Sequence, residues 1–300
     1  GSPEDLAVKH PSTPVQRLQG VIADFLSQQV ATAALRQSLL DIGWPAPDVG
    51  DAVSRERFAG LLARAFFDSS DDDAKACSNR FQTAWDPLVP PLRLSDAQIL
   101  YKLIRSFWIE PGAAGCLLFA LNRRQPIAMN GALLNWVDQD LETEHFTIDR
   151  YIERAKPGWG LHSKPISIDG EYTLGQVRTA LQRYRYGGGP MPPTMTAERF
   201  DNGINSDPKT YVLVIHCGPD RGGPPSLRFF HDDLPEITDV YSNLFVILDL
   251  GATPSLELPD VVKRVLPPVQ PERENDAWDG ERSVRNYLRD KYPGEIRTNP

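Results

Sequence analysis

Cysteine is scarce in this sequence, and the cysteines that occur lie far apart. Only three are present among 300 residues, Cys77, Cys116 and Cys217, and no Cys-x-x-Cys pair occurs. This pattern excludes a disulfide framework and a zinc site built on paired cysteines. The first residues also lack the pattern of a secretory signal peptide. We therefore expect a protein of the reducing cytoplasm.

Long hydrophobic runs and an excess of positive charge are missing too. The longest apolar run, Ala113–Leu121, is well short of the roughly 20 residues that cross a bilayer, so we expect no membrane span. Acidic residues outnumber Lys and Arg by 40 to 32, which gives a net charge of −8. A nucleic-acid backbone is bound through a face rich in Lys and Arg, so we expect no nucleic-acid partner.

Hydrophobic residues and proline are abundant by contrast. Hydrophobic residues make up 41% of the chain, which is enough for the core of one large domain or two smaller ones. The 27 prolines cluster, for example in Trp85–Pro91 and Gly187–Pro193. Because proline fixes φ and lacks a backbone donor, these clusters are expected between helices and strands and not within them.

Apolar residues at helical spacing fill the first part of the chain. Leu18, Ile22 and Leu26 recur on one helix face. Such stripes predict a small helical bundle over residues 14–85 and a helical middle region over residues 92–160. Helix N-caps are predicted at polar residues that precede apolar stripes: Thr32, Ser54, Ser95, Asn130, Thr147 and Thr173.

Residues 161–300 change period and predict an α/β domain that ends in a polar helix. Tyr211–Cys217 and Leu244–Leu250 are apolar runs closed by glycine, typical of buried strands, and Ser226–Phe230 is predicted as a shorter strand. A short helix is expected over Asp232–Val240. The 26 residues between the two long strands favour a crossover that makes them neighbours in a parallel sheet. The predicted class is α/β or α+β: a helical N-terminal region, then a sheet with at least two parallel buried strands flanked by helices.

Polar residues directly follow the two long strands. His216 and Cys217 end the first strand, and Asp249 ends the second, before Gly251. Ligands of α/β sheets usually bind beyond the carboxyl ends of the strands, so this corner is the predicted site. If the chain is an enzyme, His216, Cys217 and Asp249 are the candidate catalytic residues. The alternative is a structural corner, because free cysteine is commonly buried as a small hydrophobe.

The chain also carries three segments in a set order: Tyr211–Gly218, Ser226–Phe230 and Leu244–Thr253. This order resembles the core of caspase-like cysteine peptidases of the CHAT type, which place a catalytic His-Gly after one strand and a nucleophilic cysteine after the next. His216 matches the first position, with Cys217 inserted before Gly218, whereas Gly251 stands at the nucleophile position. Glycine supplies no thiolate, so the resemblance implies a pseudoenzyme that binds a peptide or partner. The helical region ahead of these segments is similar to adaptors of bacterial conflict systems.

Aromatic residues near glycine-rich turns extend the predicted binding surface. Tyr184 and Tyr186 precede Gly187–Gly189 and are predicted to form an aromatic rim around a groove. Phe229 and Phe230 lie on the predicted short strand, to whose edge a peptide could add. The predicted binding residues are His216, Cys217, Asp249, Gly251, Tyr184, Tyr186, Phe229 and Phe230.

No metal site and no cofactor are predicted. His231, Asp232 and Asp233 supply three ligand types in a row, but neighbouring side chains point in different directions and at most two could reach one ion. We expect the two aspartates to cap the following helix at its positive end.

The favoured function is non-catalytic: an adaptor that binds a protein or peptide in a bacterial multi-protein system, either a conflict or defence system or a peptide-modifying pathway. Two alternatives stay open. One is a hydrolase that uses Cys217 or His216 in an unfamiliar arrangement, and the other is a small-molecule sensor, which needs a closed apolar pocket. A homodimer is left open as well.

Overall fold

The structure, a computed structural model, describes residues 13–45, 50, 53–67, 74–89, 92–104, 109, 111–129, 146–159, 163–169, 172–218, 223, 225–251, 262 and 266–293. Within these residues, helices flank a four-stranded sheet in which all neighbouring strands are parallel. This arrangement confirms the predicted α/β class. No helix in the described part of the chain combines the length and apolar character needed to cross a membrane.

Among the described residues, six helices precede the first strand, and one or two helices follow each strand. The helices are α1 Pro14–Gln29, α2 Thr32–Asp41, α3 Arg55–Ala65, α4 Ala74–Leu88, α5 Leu94–Ile104, α6 Pro111–Arg123, α7 Phe146–Ala155, α8 Leu174–Tyr186, α9 Ala197–Asn205, α10 Leu234–Val240 and α11 Pro271–Lys291. The strands are β1 Ile127–Met129, β2 Ile166–Ile168, β3 Tyr211–His216 and β4 Leu244–Asp249.

Side-chain caps fix the start of several helices. Ser54 accepts a hydrogen bond from the backbone N–H three residues on, at 3.2 Å, which confirms its predicted role. Thr173 forms the predicted capping box with Gln176 at the start of α8. A capping box that was not predicted begins α1, between Thr13 and Gln16, with Pro14 at the first helical position.

Three other predicted caps are wrong, and each lies inside a helix. Thr32 is the first residue of α2, whose N-cap is Ala31. Ser95 and Thr147 are the second residues of α5 and α7. The helices start one or more residues earlier than the polar signal indicates, because tertiary packing also determines where a helix begins. Asn130 lies outside the described residues.

The two long strands pair as predicted. β3 and β4 lie side by side at the centre of the order β1-β4-β3-β2, in parallel register from Tyr211 opposite Leu244 to His216 opposite Asp249. The three-residue strands β1 and β2 lie at the two edges of the sheet that the described residues form. Each follows a proline and is too short to show a period, so neither was predicted.

The predicted strand Ser226–Phe230 is wrong. The segment is helical from Leu227 onward, and it leads through a π-helical turn at Phe229–Asp233 into α10. Ser226 starts the turn by accepting a hydrogen bond from the Phe229 N–H at 3.2 Å. A strand would send Phe229 and Phe230 to opposite faces, whereas the helical turn buries both against the sheet.

Helices cover both faces of the sheet and also build a separate core. One face packs against α6 and α7, and the other packs against α8, α9 and α10. A third core joins α1 to α5 with residues of α11, such as Trp278 and Leu288. The predicted domain boundaries at residues 85–92 and 160–161 stay a prediction. Two contacts cross them: β1 pairs with β4, and α11 packs among the first helices. The predicted polar C-terminal helix is present, at Pro271–Lys291.

Ion pairs tie several of these helices together. Arg150 of α7 and Glu274 of α11 are both fully buried, with Nη1 2.7 Å from Oε2. Arg178 of α8 donates from Nε and Nη2 to the two oxygens of Asp201 of α9 at 3.0 and 2.7 Å. Burial raises the pKa of Asp201, but hydrogen bonds from Arg178 and Tyr241 outweigh burial and lower the pKa overall.

Candidate functional site

The candidate site lies where β3 and β4 end. His216 and Asp249 are opposite each other in the parallel register, and His216 Nδ1 lies 2.8 Å from Asp249 Oδ2. The imidazole is 0% exposed and the aspartate is 5% exposed. The ring nitrogen and the carboxylate oxygen are within hydrogen-bonding distance, so the pair has the geometry of an acid–base dyad.

A glycine contact closes the corner beyond the dyad. The second oxygen of Asp249 accepts a hydrogen bond from the Gly251 N–H at 3.0 Å. Gly251 has a φ of +64°, and a Cβ placed on it would lie 3.5 Å from the Cα of Gly218. The left-handed backbone favours glycine at this position, whereas the 3.5 Å distance is an ordinary van der Waals contact. The two strand ends therefore meet, as the parallel pairing predicts.

Cys217 lies next to His216 in the chain but on the other face of the sheet. Side chains alternate along a strand. The thiol accordingly packs with Leu213 and Ile215 in the core under α8 to α10, while His216 follows Val212 and Val214 on the face under α6 and α7. Burial, with a smaller effect of the Asp249 charge, raises the pKa of Cys217 to about 12. The thiol is 1% exposed and donates to its own chain, at Ile215 O.

An aromatic cluster supports the end of β3 from the same side as the thiol. Tyr172 donates from its hydroxyl to the His216 carbonyl at 2.6 Å, and its ring meets Phe229 edge-on at 5.2 Å between centroids. Phe229 in turn contacts Phe230, and all three rings are buried. Sequence reasoning missed Tyr172, although its place just before the Thr173 cap is the position from which a hydrophobic staple packs on the helix.

The two tyrosines of the predicted rim lie at the opposite end of the sheet. Tyr184 packs its ring against Tyr211, 6.0 Å between centroids, and accepts a hydrogen bond from the Lys164 N–H. Tyr211 begins β3, about 17 Å from His216 at the usual rise per residue. Tyr186 packs near Phe200 of α9. The structure therefore brings His216, Asp249, Gly251 and Phe229 together and separates the tyrosines from them.

The acidic residues before α10 do not cap it through their side chains, so that prediction is wrong. Asp233 is the N-cap residue by position but makes no side-chain cap hydrogen bond, because the chain is already helical in the preceding turn. Asp232 is exposed and lies 4.0 Å from Arg228. No group of three metal-ligating side chains occurs among the described residues.

The site thus contains a buried imidazole–carboxylate pair, and the adjacent thiol is kept apart from it. This chemistry suits either a structural clasp between two strands or a general base whose nucleophile comes from elsewhere. No family model, curated protein or solved structure matches the chain.

Proposed function

We propose that this chain is a non-catalytic adaptor that binds a protein or peptide in a bacterial multi-protein system. The observation that carries the proposal is the separation of Cys217 from His216 by the sheet itself. A cysteine hydrolase needs its thiol within about 2.6–3.2 Å of the base that activates it. Strand alternation sends these two side chains in opposite directions, and burial keeps the thiol protonated near neutral pH.

The His216–Asp249 pair has a structural role under this proposal. Asp249 lies 2.8 Å from the imidazole nitrogen and accepts from the Gly251 N–H, so one carboxylate joins β3, β4 and the turn that follows. Hydrogen bonds to a charged acceptor are stronger than those between neutral groups. The pair then stabilises the shape of the corner, as expected of a pseudoenzyme scaffold of the caspase-like type that the segments at β3 and β4 resemble.

A candidate contact for the partner lies on the helical turn beside this corner. Leu227 is 70% exposed, the highest value among the large hydrophobic residues described, and Arg228 beside it is exposed as well. Phe229 and Phe230, which follow, are buried in the core. They hold the turn in place, so that Leu227 and Arg228 project from it in a defined position. Interfaces use apolar side chains together with arginine.

Affinity capture from the native host tests the adaptor proposal with matched variants. We expect Leu227→Glu to lose the partner that the wild type retains, since it places a charge in the contact. Cys217→Ala should retain it, because the thiol takes no part. Leu40→Glu, at a 41% exposed position on α2, is the surface control. If Leu227→Glu retains the partner as well as the wild type does, the surface around Leu227 is not the contact. If only Cys217→Ala loses the partner, the non-catalytic proposal itself is contradicted.

A histidine-dependent hydrolase is the second candidate, favoured by the 2.8 Å contact between His216 and Asp249. Hydrolysis of p-nitrophenyl acetate separates the two candidates. The adaptor proposal expects equal background rates for the wild type and His216→Gln. Turnover above background that disappears in His216→Gln, while the melting temperature stays unchanged, would favour the hydrolase instead.

A further inference from the structure

A cleft of about 310 Å³ opens at the amino end of the sheet, away from the His216 corner. Its polar lining comes from Arg17 of α1, Asn122 of α6, Lys156 after α7 and Thr210 before β3. Leu118 and Leu121 of α6 contribute apolar surface. The volume is at the lower end of the range for small-molecule pockets, about 300–1,000 Å³. The size and mixed lining favour a small ligand with one polar end.

The charges that line this cleft are both positive. Arg17 and Lys156 contribute to it, and no carboxylate is found among its described lining residues, although the whole chain has a net charge of −8. Lys156 donates from Nζ to the neutral Thr210 hydroxyl at 2.7 Å. No acceptor in the described part of the chain lies within hydrogen-bonding reach of Arg17 Nε or Nη2, and both atoms are shielded from water.

Two other arginines show what this edge of a guanidinium normally binds in the protein. Arg178 uses Nε and Nη2 to hold both oxygens of Asp201. Arg285 directs the same two atoms to Glu281 at 2.9 and 2.7 Å. A buried donor without an acceptor costs free energy. Among the described residues, the equivalent edge of Arg17 has no anionic partner of the kind that the other two arginines have.

We infer that the cleft binds a small organic anion, whose carboxylate or phosphate pairs with Arg17 and Lys156 and whose apolar part contacts Leu118 and Leu121. The planar guanidinium matches either group with two hydrogen bonds, and the ammonium adds a point charge. Because the Nε and Nη2 atoms of Arg17 are shielded from water, pairing of the anion with that edge requires the side chain to turn.

A purely structural role for the two cations gives a different expectation. The carboxyl ends of α6 and α7 lie at the cleft, and positive charge there is favourable to the helix dipoles. If that were their only role, neutralising either residue would lower the melting temperature, and no anion would bind in a saturable way. Saturable anion binding that weakens when either Arg17 or Lys156 is neutralised supports the binding role over the purely structural one.

Calorimetric or NMR titration of the full chain at low salt tests the inference with three related probes: phenyl phosphate, phenylacetate and the neutral phenylacetamide. We expect saturable binding of at least one of the two anions, at least tenfold stronger than that of the amide. Arg17→Gln and Lys156→Gln should each weaken it at least tenfold. Lys209→Gln, an exposed cation outside the lining, should leave it unchanged. The stronger of the two anions identifies the group that the cleft prefers.

Three results would overturn the inference. They are equal affinity for the amide, unchanged anion affinity in Lys156→Gln, and no saturation by either anion up to about 10 mM, a weak limit for a ligand of this size. Lys156 is exposed, so its variant decides the question even if Arg17→Gln fails to fold.

Discussion

Alkylation of Cys217 follows directly from the geometry and tests whether its thiol is inert. The pKa of the thiol rises from 9.0 to about 12 because the side chain is buried. At pH 8 the thiolate fraction falls from about one in ten to about one in ten thousand, roughly a thousandfold. A more basic thiolate is intrinsically more nucleophilic, with a Brønsted coefficient of about 0.4–0.5, which recovers roughly 20-fold. The pKa alone therefore slows alkylation by about 50-fold, and burial slows it further.

The assay is iodoacetamide labelling of the native chain, with the Cys217 and Cys116 peptides quantified by mass spectrometry. Labelling of Cys217 should be at least about 50-fold slower than in denaturant and should rise about tenfold for each pH unit between 7 and 9, because only the thiolate reacts. Cys116 is half-buried on α6 and serves as the internal comparison. If Cys217 reacts as fast in the native chain as in denaturant, its thiol is accessible and of ordinary pKa, and a rate that does not change with pH marks an activated thiolate. Either result refutes our reasoning.

Three further predictions concern stability, measured by urea unfolding. Asp249→Ala removes two hydrogen bonds to a buried carboxylate and should lower the free energy of unfolding by about 3–5 kcal/mol. Asp232→Ala, at an exposed position, is the control and should change the free energy of unfolding by under about 0.5 kcal/mol. Similar values for the two variants would contradict the structural role of Asp249. Arg150→Met leaves Glu274 buried without its counter-ion and should lower the free energy of unfolding by about 3–5 kcal/mol. The double variant Arg150→Met and Glu274→Leu should regain most of that stability. If the double variant is as unstable as the single one, the unpaired charge is not the cause of the loss. The pKa of Asp201 is lowered in the folded chain, so its ionised form contributes fully to stability above the unfolded pKa of 3.8, and this contribution is lost as the pH falls towards the folded pKa. Asp201→Asn should therefore make the free energy of unfolding depend less on pH over that acidic range. An unchanged pH profile would contradict the role assigned to the Asp201 ion pair.

The central strands could be predicted from the sequence because each carries its own signal. β3 and β4 each have five consecutive apolar residues before a polar one, and their parallel pairing follows from the length of the crossover. β1 and β2 have three residues each, after Pro126 and Pro165. Their extended conformation depends on pairing with β4 and β3, which no local pattern encodes.

The error at Ser226–Phe230 has a different cause. Two adjacent aromatic residues are typical of a buried strand and are equally compatible with a helical turn packed on a sheet. The Ser226 hydroxyl favours the helical turn because it accepts a hydrogen bond from the Phe229 N–H. Without knowledge of such a contact, a short apolar run does not distinguish strand from helix.

The candidate site was predictable in part. Parallel strands that end together place His216 beside Asp249, and the alternation of a strand already implies that Cys217 faces away. The hydrogen bond from Tyr172 to the His216 carbonyl joins residues 44 apart and could not be read from spacing. The shielded edge of Arg17 depends in the same way on packing between distant helices.

The packing of α11 has a consequence for how the chain folds during synthesis. Its residues complete the core of the first five helices, and Tyr292 donates to the carbonyls of Val89 and Leu92. The Trp85 ring meets Tyr287 of α11 edge-on, so we expect the apolar surface around Trp85 to stay uncovered until residues 271–291 have been synthesised. Such a nascent chain is prone to aggregation and suits protection by a chaperone, so the order of synthesis delays completion of the helical region until the sheet has been made.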